Sequence, residues 1–289
     1  MNTPTISPDK LRVHVQFLAG ELGERNVWFP DKLKLAADYI EREWRAQGYD
    51  VKRLPYLVQK IECHNLEVAR TGKTKPNEIV IVGAHYDSVE TSPGANDNGT
   101  GVAALLELSR HFTGAARTVR FVAFVNEEPP FFQTPEMGSR VYATACRQRG
   151  DNIRSMICLE TIGYYSDAPG SQRYPPLFKW FYPDRGNFIA FVSDLASRGV
   201  MHRAARAFRA YTNFPVECCA TWSKVPGVDW SDHWSFWQEG YRAFMVTDTA
   251  PFRYEYYHTP EDTPDKVNYD SLARVTQGVS GAINALANE

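Results

Sequence analysis

Apolar residues alternate along this chain between two patterns. Runs with little polar interruption are typical of strands buried on both faces of a sheet. Such runs occur at EIVIVGAH (78–85), VRFVAFVNE (119–127), SMICLE (155–160), NFIAFVS (187–193) and RAFMVTD (242–248). Between them, apolar residues recur at helical spacing, which predicts helices over 100–114, 194–210 and 268–287. Alternation of buried strands and amphipathic helices predicts a three-layer α/β/α fold around a central mixed, mostly parallel sheet.

The N-terminal region and two later segments depart from this alternation. The first 48 residues are predicted to be helical, with one apolar stripe ending before Gly48, and two strands follow at 51–58 and 61–70. Residues 164–186 and 211–231 are rich in proline and aromatic residues and are predicted to be irregular segments that shape a pocket. We expect residues 1–289 to form a single domain.

Composition and charge narrow the function classes. The chain has 289 residues, 43% of them hydrophobic, and 32 Lys+Arg against 34 Asp+Glu give a net charge of −2. The chain has no excess of basic residues, which argues against a general nucleic-acid-binding protein. It contains no apolar run long enough to form a membrane-spanning helix. The first residues lack the pattern of a signal peptide, which predicts a cytoplasmic protein unless a leader was removed. The five cysteines include no CxxC pair, which is typical of reduced, structural thiols.

Histidines and carboxylates concentrate where the predicted strands end. They are His85, Asp97, Glu127, Glu128, Glu160 and His258. Each alone is weak evidence, because lone histidines are usually structural and lone carboxylates often cap helices. Together they would place several charges at a partly buried edge of the sheet, which is costly without a compensating cation. Histidine and carboxylate without cysteine is the ligand set of catalytic rather than structural zinc.

The order of these motifs resembles the zinc aminopeptidases of metallopeptidase family 28. The motifs are HxDS, GAxDNGTG, NEE, LxxIG and YHTxxD, and the resemblance runs from about residue 78 to 262. That family includes leucyl-type aminopeptidases and glutamate carboxypeptidase-like enzymes, with glutaminyl cyclase as a relative. The resemblance implies the zinc-exopeptidase fold, a relative of the phosphorylase/hydrolase architecture.

The resemblance also implies a role for each candidate residue. Two zinc ions about 3.5 Å apart are expected. His85 and Glu160 would bind the first ion, Glu128 and His258 the second, and Asp97 would bridge them. Glu127 matches the general base that takes a proton from water and passes it to the leaving amine.

The resemblance implies further roles for the residues around these ligands. Asp87 would orient the His85 ring. Tyr257, or alternatively Tyr256, would polarise the scissile carbonyl. Asp232 and His233 lie in a segment similar to the SDHxxF of the family and are either pocket or structural residues. A cis peptide bond is expected after Asp97.

Several functions remain open on this basis. The favoured one is release of N-terminal residues from peptides or amino-acid amides. A single-zinc cyclotransferase is the alternative, but Tyr257 stands where glutaminyl cyclases usually have tryptophan. A dipeptidase, carboxypeptidase or amide hydrolase, or a binding module without activity, would use the same scaffold. Most aminopeptidases of the family have aspartate at the position of Glu160, so one or two metals are possible.

Overall fold

An eight-stranded mixed sheet forms the centre of the computed structural model, which describes residues 5–289. The strands are β1 (Lys52–Val58), β2 (Ile61–Arg70), β3 (Lys75–His85), β4 (Arg117–Phe124), β5 (Asn152–Glu160), β6 (Ile189–Asp194), β7 (Val216–Thr221) and β8 (Ala243–Thr247). Across the sheet they lie in the order β1-β2-β4-β3-β5-β8-β6-β7.

Parallel pairing dominates the middle of the sheet. β4, β3, β5 and β8 are parallel neighbours, as are β6 and β7. β1 pairs antiparallel with β2, β2 with β4, and β6 with β8. The edge strand β1 contains Pro55, which an edge tolerates because one side of the strand needs no hydrogen-bond donors. The predicted three-layer fold with a mixed, mostly parallel sheet is confirmed.

Helices cover both faces of this sheet. They are α1 (Pro8–Val15), α2 (Pro30–Ala46), α3 (Gly101–His111), α4 (Gly138–Arg149), α5 (Arg198–Tyr211), α6 (His233–Gln238), α7 (Ala250–Arg253) and α8 (Tyr269–Asn288). On one face, α1, α2, α3, α5 and α8 pack with alternate strand residues into the larger apolar core. On the other face, α4 and α6 form a second, smaller core with the intervening strand residues.

The apolar stripe of α2 explains its position. Leu33, Ala36, Ala37, Ile40 and Trp44 are all buried against the larger core. The Trp44 indole also donates a hydrogen bond to Ser109 Oγ of α3 at 2.9 Å, so the buried N–H is satisfied.

Four predictions of helices and strands were wrong. The N-terminal helical region is interrupted, because the non-helical stretch 23–29 separates Gln16–Leu22, a π-helical continuation of α1, from α2. β4 ends at Phe124 rather than at 127. Helix α4 was not predicted, because its buried face consists largely of small and polar residues. β7 lies inside the segment 211–231 that was predicted to be irregular, because VECCAT is short and is interrupted by Glu217.

Two general expectations can be compared with this structure. All five cysteines carry free thiols, as predicted. Among the described residues, no helix has both the length and the apolar character that a membrane crossing requires.

Candidate metal centre

The six candidate residues converge at the carboxyl ends of the central strands. His85 is the last residue of β3, Glu160 is the last of β5, and Glu127 and Glu128 follow the end of β4 after two intervening residues. These three strands are parallel neighbours, so their ends meet at one edge of the sheet. Asp97 reaches the same place from the segment Ala95–Thr100, and His258 from the loop after α7.

Asp97 lies between the two histidines. Its Oδ1 is 3.4 Å from His85 Nε2, and its Oδ2 is 3.1 Å from His258 Nε2. On the first side, Glu160 Oε2 is 3.3 Å from His85 Nε2. On the second side, Glu128 Oε2 is 3.4 Å from His258 Nε2. The aspartate therefore presents one oxygen to each of two histidine–carboxylate pairs.

Glu127 shares the centre although it is adjacent to Glu128. Its Oε2 lies 3.8 Å from His85 Nε2. On a continuous strand two adjacent side chains would point to opposite faces. β4 has already ended, and Asn126 adopts a positive φ of 58°, which redirects the chain. The expectation that the strand ends or twists at Asn126 is confirmed.

The side chain of Asp87 fixes this turn. Its Oδ1 accepts a hydrogen bond from the backbone N–H of Glu127 at 3.2 Å, and its Oδ2 accepts one from Glu128 at 3.1 Å. His85 Nδ1 lies 3.2 Å from the Asp87 carbonyl oxygen and 3.6 Å from the carboxylate. The closer partner of the imidazole is therefore the Asp87 backbone, while the carboxylate positions the glutamate pair.

The segment around Asp97 is held from several directions. The Asp97–Asn98 peptide bond is cis, as expected. Asp262 accepts hydrogen bonds from the backbone N–H groups of Asn96 at 2.8 Å and Asp97 at 3.0 Å. Asn98 donates to the Leu159 carbonyl, next to Glu160. A side chain at Gly101 would clash with Asn98, so the glycine permits this close approach.

Burial and mutual repulsion set the electrostatics of the centre. All four carboxylates and His85 are buried. Burial, reinforced by neighbouring carboxylates, raises the pKa of Glu127 and of Glu128 well above the usual range. Burial also raises the pKa of Glu160. Burial opposes ionisation of Asp97 as well, but the two neighbouring histidines lower its pKa.

These observations fit a divalent cation. Three overlapping trios of side chains bring their ligand atoms within 4.8 Å of one another, namely His85–Asp97–Glu160, Asp97–Glu128–His258 and His85–Glu127–Glu128. Among residues 5–289, buried His85 Nε2 and Glu128 Oε1 have no hydrogen-bond partner. A bound cation would satisfy both atoms and relieve the repulsion between the carboxylates.

Three supporting residues were missed by the sequence analysis. Ser231 donates from its hydroxyl to Glu160 Oε2 at 2.6 Å. Asp262 appeared only as the last letter of the YHTxxD motif. Arg25 is completely buried and its guanidinium donates to five backbone carbonyls, those of Leu18, Gly23, Tyr86, Pro93 and Gly94. Ser231 and Asp262 could have been found from their motifs, SDHxxF and YHTxxD. No motif surrounds Arg25, so the sequence offered no signal for it.

Asp232 and His233 take different positions. His233 Nε2 contacts the Val228 carbonyl at 2.7 Å, and its ring packs edge-on against Trp237, so it supports the loop. Burial lowers its pKa to about 4. Asp232 is buried next to Ser231, and burial raises its pKa to about 7. Neither side chain lines the cavity at the metal centre.

Tyr257 rather than Tyr256 faces the centre. The ring of Tyr257 stacks on His258 at 3.8 Å and lines the cavity of about 710 Å³ that contains Asp97, Glu127 and Glu128. Tyr256 contacts Tyr254 and Lys266 instead and does not line this cavity. Of the two tyrosines considered, Tyr257 is the one in reach of a substrate.

A second cavity of about 810 Å³ adjoins the first. The two share Glu160, Trp230 and Tyr257 in their walls. Its floor is the face of β6, β7 and β8, and its walls come from 172–182, 225–230 and 249–252. As predicted, the aromatic segments 164–186 and 211–231 shape a pocket. Its position beside the candidate metal centre suits a substrate side chain.

Comparison with known proteins settles the family. The sequence profile described as peptidase family M28 matches residues 65–283. The chain belongs to this family. Membership confirms the resemblance found in the sequence and the predicted enzyme class, a zinc metallopeptidase.

Individual relatives include characterised and uncharacterised proteins. The chain is 38% identical to the uncharacterised protein YfbL of Escherichia coli, over 94% of this chain and 86% of that protein. Among solved structures it resembles BSAP, a zinc aminopeptidase from Bacillus subtilis, with a TM-score of 0.80 and 16% identity over 100% and 97% of the two chains. It also resembles the glutaminyl cyclase of Fimbriiglobus ruber, with a TM-score of 0.70 and 20% identity over 99% and 97%. At these identities the structural likeness speaks for the fold alone.

Proposed function

We propose that this M28 peptidase is a zinc aminopeptidase that releases the N-terminal residue of a peptide at a co-catalytic two-zinc site. The observation that carries the proposal is the position of Asp97, whose two oxygens face two different histidines. Each histidine has a carboxylate of its own beside it. Such an arrangement suits a bridging ligand between two ions.

The chain offers one ligand set for each ion, and Asp97 belongs to both sets. His85, Asp97 and Glu160 would hold one, and Asp97, Glu128 and His258 would hold the other. Zinc, when bound, supplies Lewis-acid chemistry that polarises a carbonyl and acidifies water. When all four carboxylates are ionised and both histidines are neutral, the centre carries about four negative charges, which two divalent cations would balance.

Glu127 remains outside these two sets and is proposed as the general base. Its carboxylate faces the same cavity as the ligands. It lies 3.8 Å from His85 and therefore beside the proposed ions, where a carboxylate can take a proton from water and deliver it to the leaving amine. Asp87 fixes the backbone of Glu127 and thereby its position.

Tyr257 is proposed to orient the scissile carbonyl. Its side chain is half-buried and lines both cavities, and burial raises the pKa of its hydroxyl, which stays protonated. Because Tyr257 lines the cavity that contains the candidate ligands, its hydroxyl can donate to a substrate oxygen there.

A panel of peptides tests this function. Peptides with a free N-terminus, the same peptides with an acetylated N-terminus, and peptides that begin with glutamine are incubated with the protein while its zinc content is measured. We expect stepwise release of N-terminal residues from free peptides alone, its loss on chelation, and its return with Zn²⁺ or Co²⁺. Cleavage of blocked peptides alone would exclude an aminopeptidase. Loss of ammonia from N-terminal glutamine without cleavage would favour the cyclotransferase.

A further inference from the structure

The apolar cavity beside the metal centre contains two charged side chains, Glu160 and Glu217, and both are carboxylates. Glu160 belongs to the candidate metal centre. Glu217 lies on β7, at the far side of the cavity floor. Of the residues that the structure describes, no lysine, arginine or histidine lines this cavity.

The sheet register places these two glutamates on one line. Glu160 of β5 is paired with Thr247 of β8, Thr247 with Ala190 of β6, and Ala190 with Glu217 of β7. Residues paired in this way point to the same face of the sheet. Because neighbouring strands lie about 4.8 Å apart, the Cα atoms of Glu160 and Glu217 are about 14 Å apart. The two residues between them are small or medium-sized, which leaves the floor open.

Glu217 has no partner in the described part of the chain. It is half-buried, and among residues 5–289 it forms neither an ion pair nor a side-chain hydrogen bond. The nearby Arg209 donates instead to the carbonyl of Val216 at 3.0 Å. Burial accordingly raises the pKa of Glu217, although Arg209 opposes this. Because this carboxylate is partly desolvated and unpaired, a charge-assisted hydrogen bond from a cationic ligand would stabilise it.

The length of this row favours a long basic side chain. The side chain of Glu217 stands roughly perpendicular to the sheet, so its own length does not shorten the row. An extended lysine or arginine reaches about 6–7 Å from its Cα by standard bond lengths, and a charge-assisted hydrogen bond adds about 2.8 Å, so together they cover about two thirds of the row. A leucine side chain reaches about 2.6 Å and would leave Glu217 unpaired.

Two aromatic rings lie where the cationic end would rest. Tyr174 and Tyr182 line the cavity and stack on each other with their centroids 5.9 Å apart. Both lie within the field of Glu217, whose charge raises the pKa of each after the larger effect of burial. Tyrosine rings attract lysine and arginine cations, while the apolar walls suit the aliphatic stem of the same side chains.

We propose that this cavity selects peptides whose N-terminal residue is lysine or arginine, with Glu217 as the residue that pairs with the cation. The proposal rests on the proposed aminopeptidase function. An apolar N-terminal side chain would leave the Glu217 carboxylate unpaired, and an acidic one would be repelled by it. The cavity would therefore discriminate against both kinds of N-terminal residue.

Lysyl and norleucyl substrates provide the sharpest test, because the two side chains have nearly the same length and differ in the ammonium group. We expect kcat/KM for a lysyl peptide to exceed that for the norleucyl peptide at least tenfold. Glu217→Gln should reduce this ratio about tenfold or more, and Glu217→Asp should reduce it in part. Glu62→Gln, a change of an exposed glutamate on the distant strand β2, should keep the ratio. A wild-type preference for leucyl, phenylalanyl or norleucyl peptides, or an unchanged ratio in Glu217→Gln, would overturn the proposal.

Binding separates this proposal from the proposed function. Lysinamide and norleucinamide are titrated into the wild type and into Glu217→Gln by calorimetry. Tighter binding of lysinamide that is lost in the variant supports the cavity assignment even if no peptide is hydrolysed, in which case the aminopeptidase function alone fails. Equal binding of the two amides by the wild type contradicts the cavity assignment.

Discussion

Replacement of Glu127 by glutamine is expected to lower kcat by about 10²–10⁴, the usual contribution of a general base. Glutamine keeps the shape of the side chain but cannot take up and return a proton. Because Glu127 stands outside the two proposed ligand sets, the zinc content of the variant should equal that of the wild type. Steady-state kinetics together with metal analysis of the same preparation measure both quantities.

The matched control for this variant is Glu136→Gln, in the same loop. Glu136 is exposed, and its side chain makes no contact with the centre. We expect the control to retain wild-type turnover. Full turnover in Glu127→Gln would remove Glu127 from the role of base, and a loss of zinc in that variant would make it a ligand instead.

Asp97→Asn should lower turnover as much as Glu127→Gln does, or more. The change removes the charge of the side chain that faces both histidines, and loss of metal costs several kcal/mol of transition-state stabilisation. At 1.36 kcal/mol per factor of ten, turnover should fall by about 10³ or more. Unlike Glu127→Gln, this variant should also bind less zinc than the wild type, which native mass spectrometry can count.

The surface residue Asp167 offers the control. Asp167→Asn changes an exposed carboxylate in the segment 164–186 and should leave both zinc content and turnover as in the wild type. If Asp97→Asn binds two zinc ions as tightly as the wild type and stays active, Asp97 does not bridge the ions.

Sequence reasoning located the centre because of a simple regularity. The carboxyl ends of parallel strands meet at one edge of a sheet, so polar residues that end buried runs converge there. His85 and Glu160 were found at strand ends in this way, Asp97 and His258 were noted on the loops that follow, and the family motifs added a role for each. Asp97 and His258 sit on such loops, whose conformation no periodicity predicts.

What the sequence did not reveal depends on contacts between distant segments. Arg25 has no pattern around it that indicates a role, yet it binds carbonyls as far along the chain as Gly94. Ser231 reaches Glu160 only because α6 and its preceding turn pack against β5. Helix α4 was missed because burial of small residues such as Ala143 leaves little hydrophobic signal in the sequence.

The position of Glu217 shows the same limit. Its strand was predicted to be irregular, so its alignment with Glu160 followed only from the observed register across β5, β8, β6 and β7. A sheet order in which β8 lies between β5 and β6 cannot be read from the sequence of strands along the chain.

Zinc titration of the metal-free protein tests the central claim most directly. The chain is stripped by chelation, zinc is added in fractions of an equivalent, and bound zinc and release of N-terminal residues are recorded at each point. The account predicts that binding saturates at two zinc ions per chain and that full activity requires both. Saturation at one zinc ion per chain with full activity would contradict the bridged two-zinc centre.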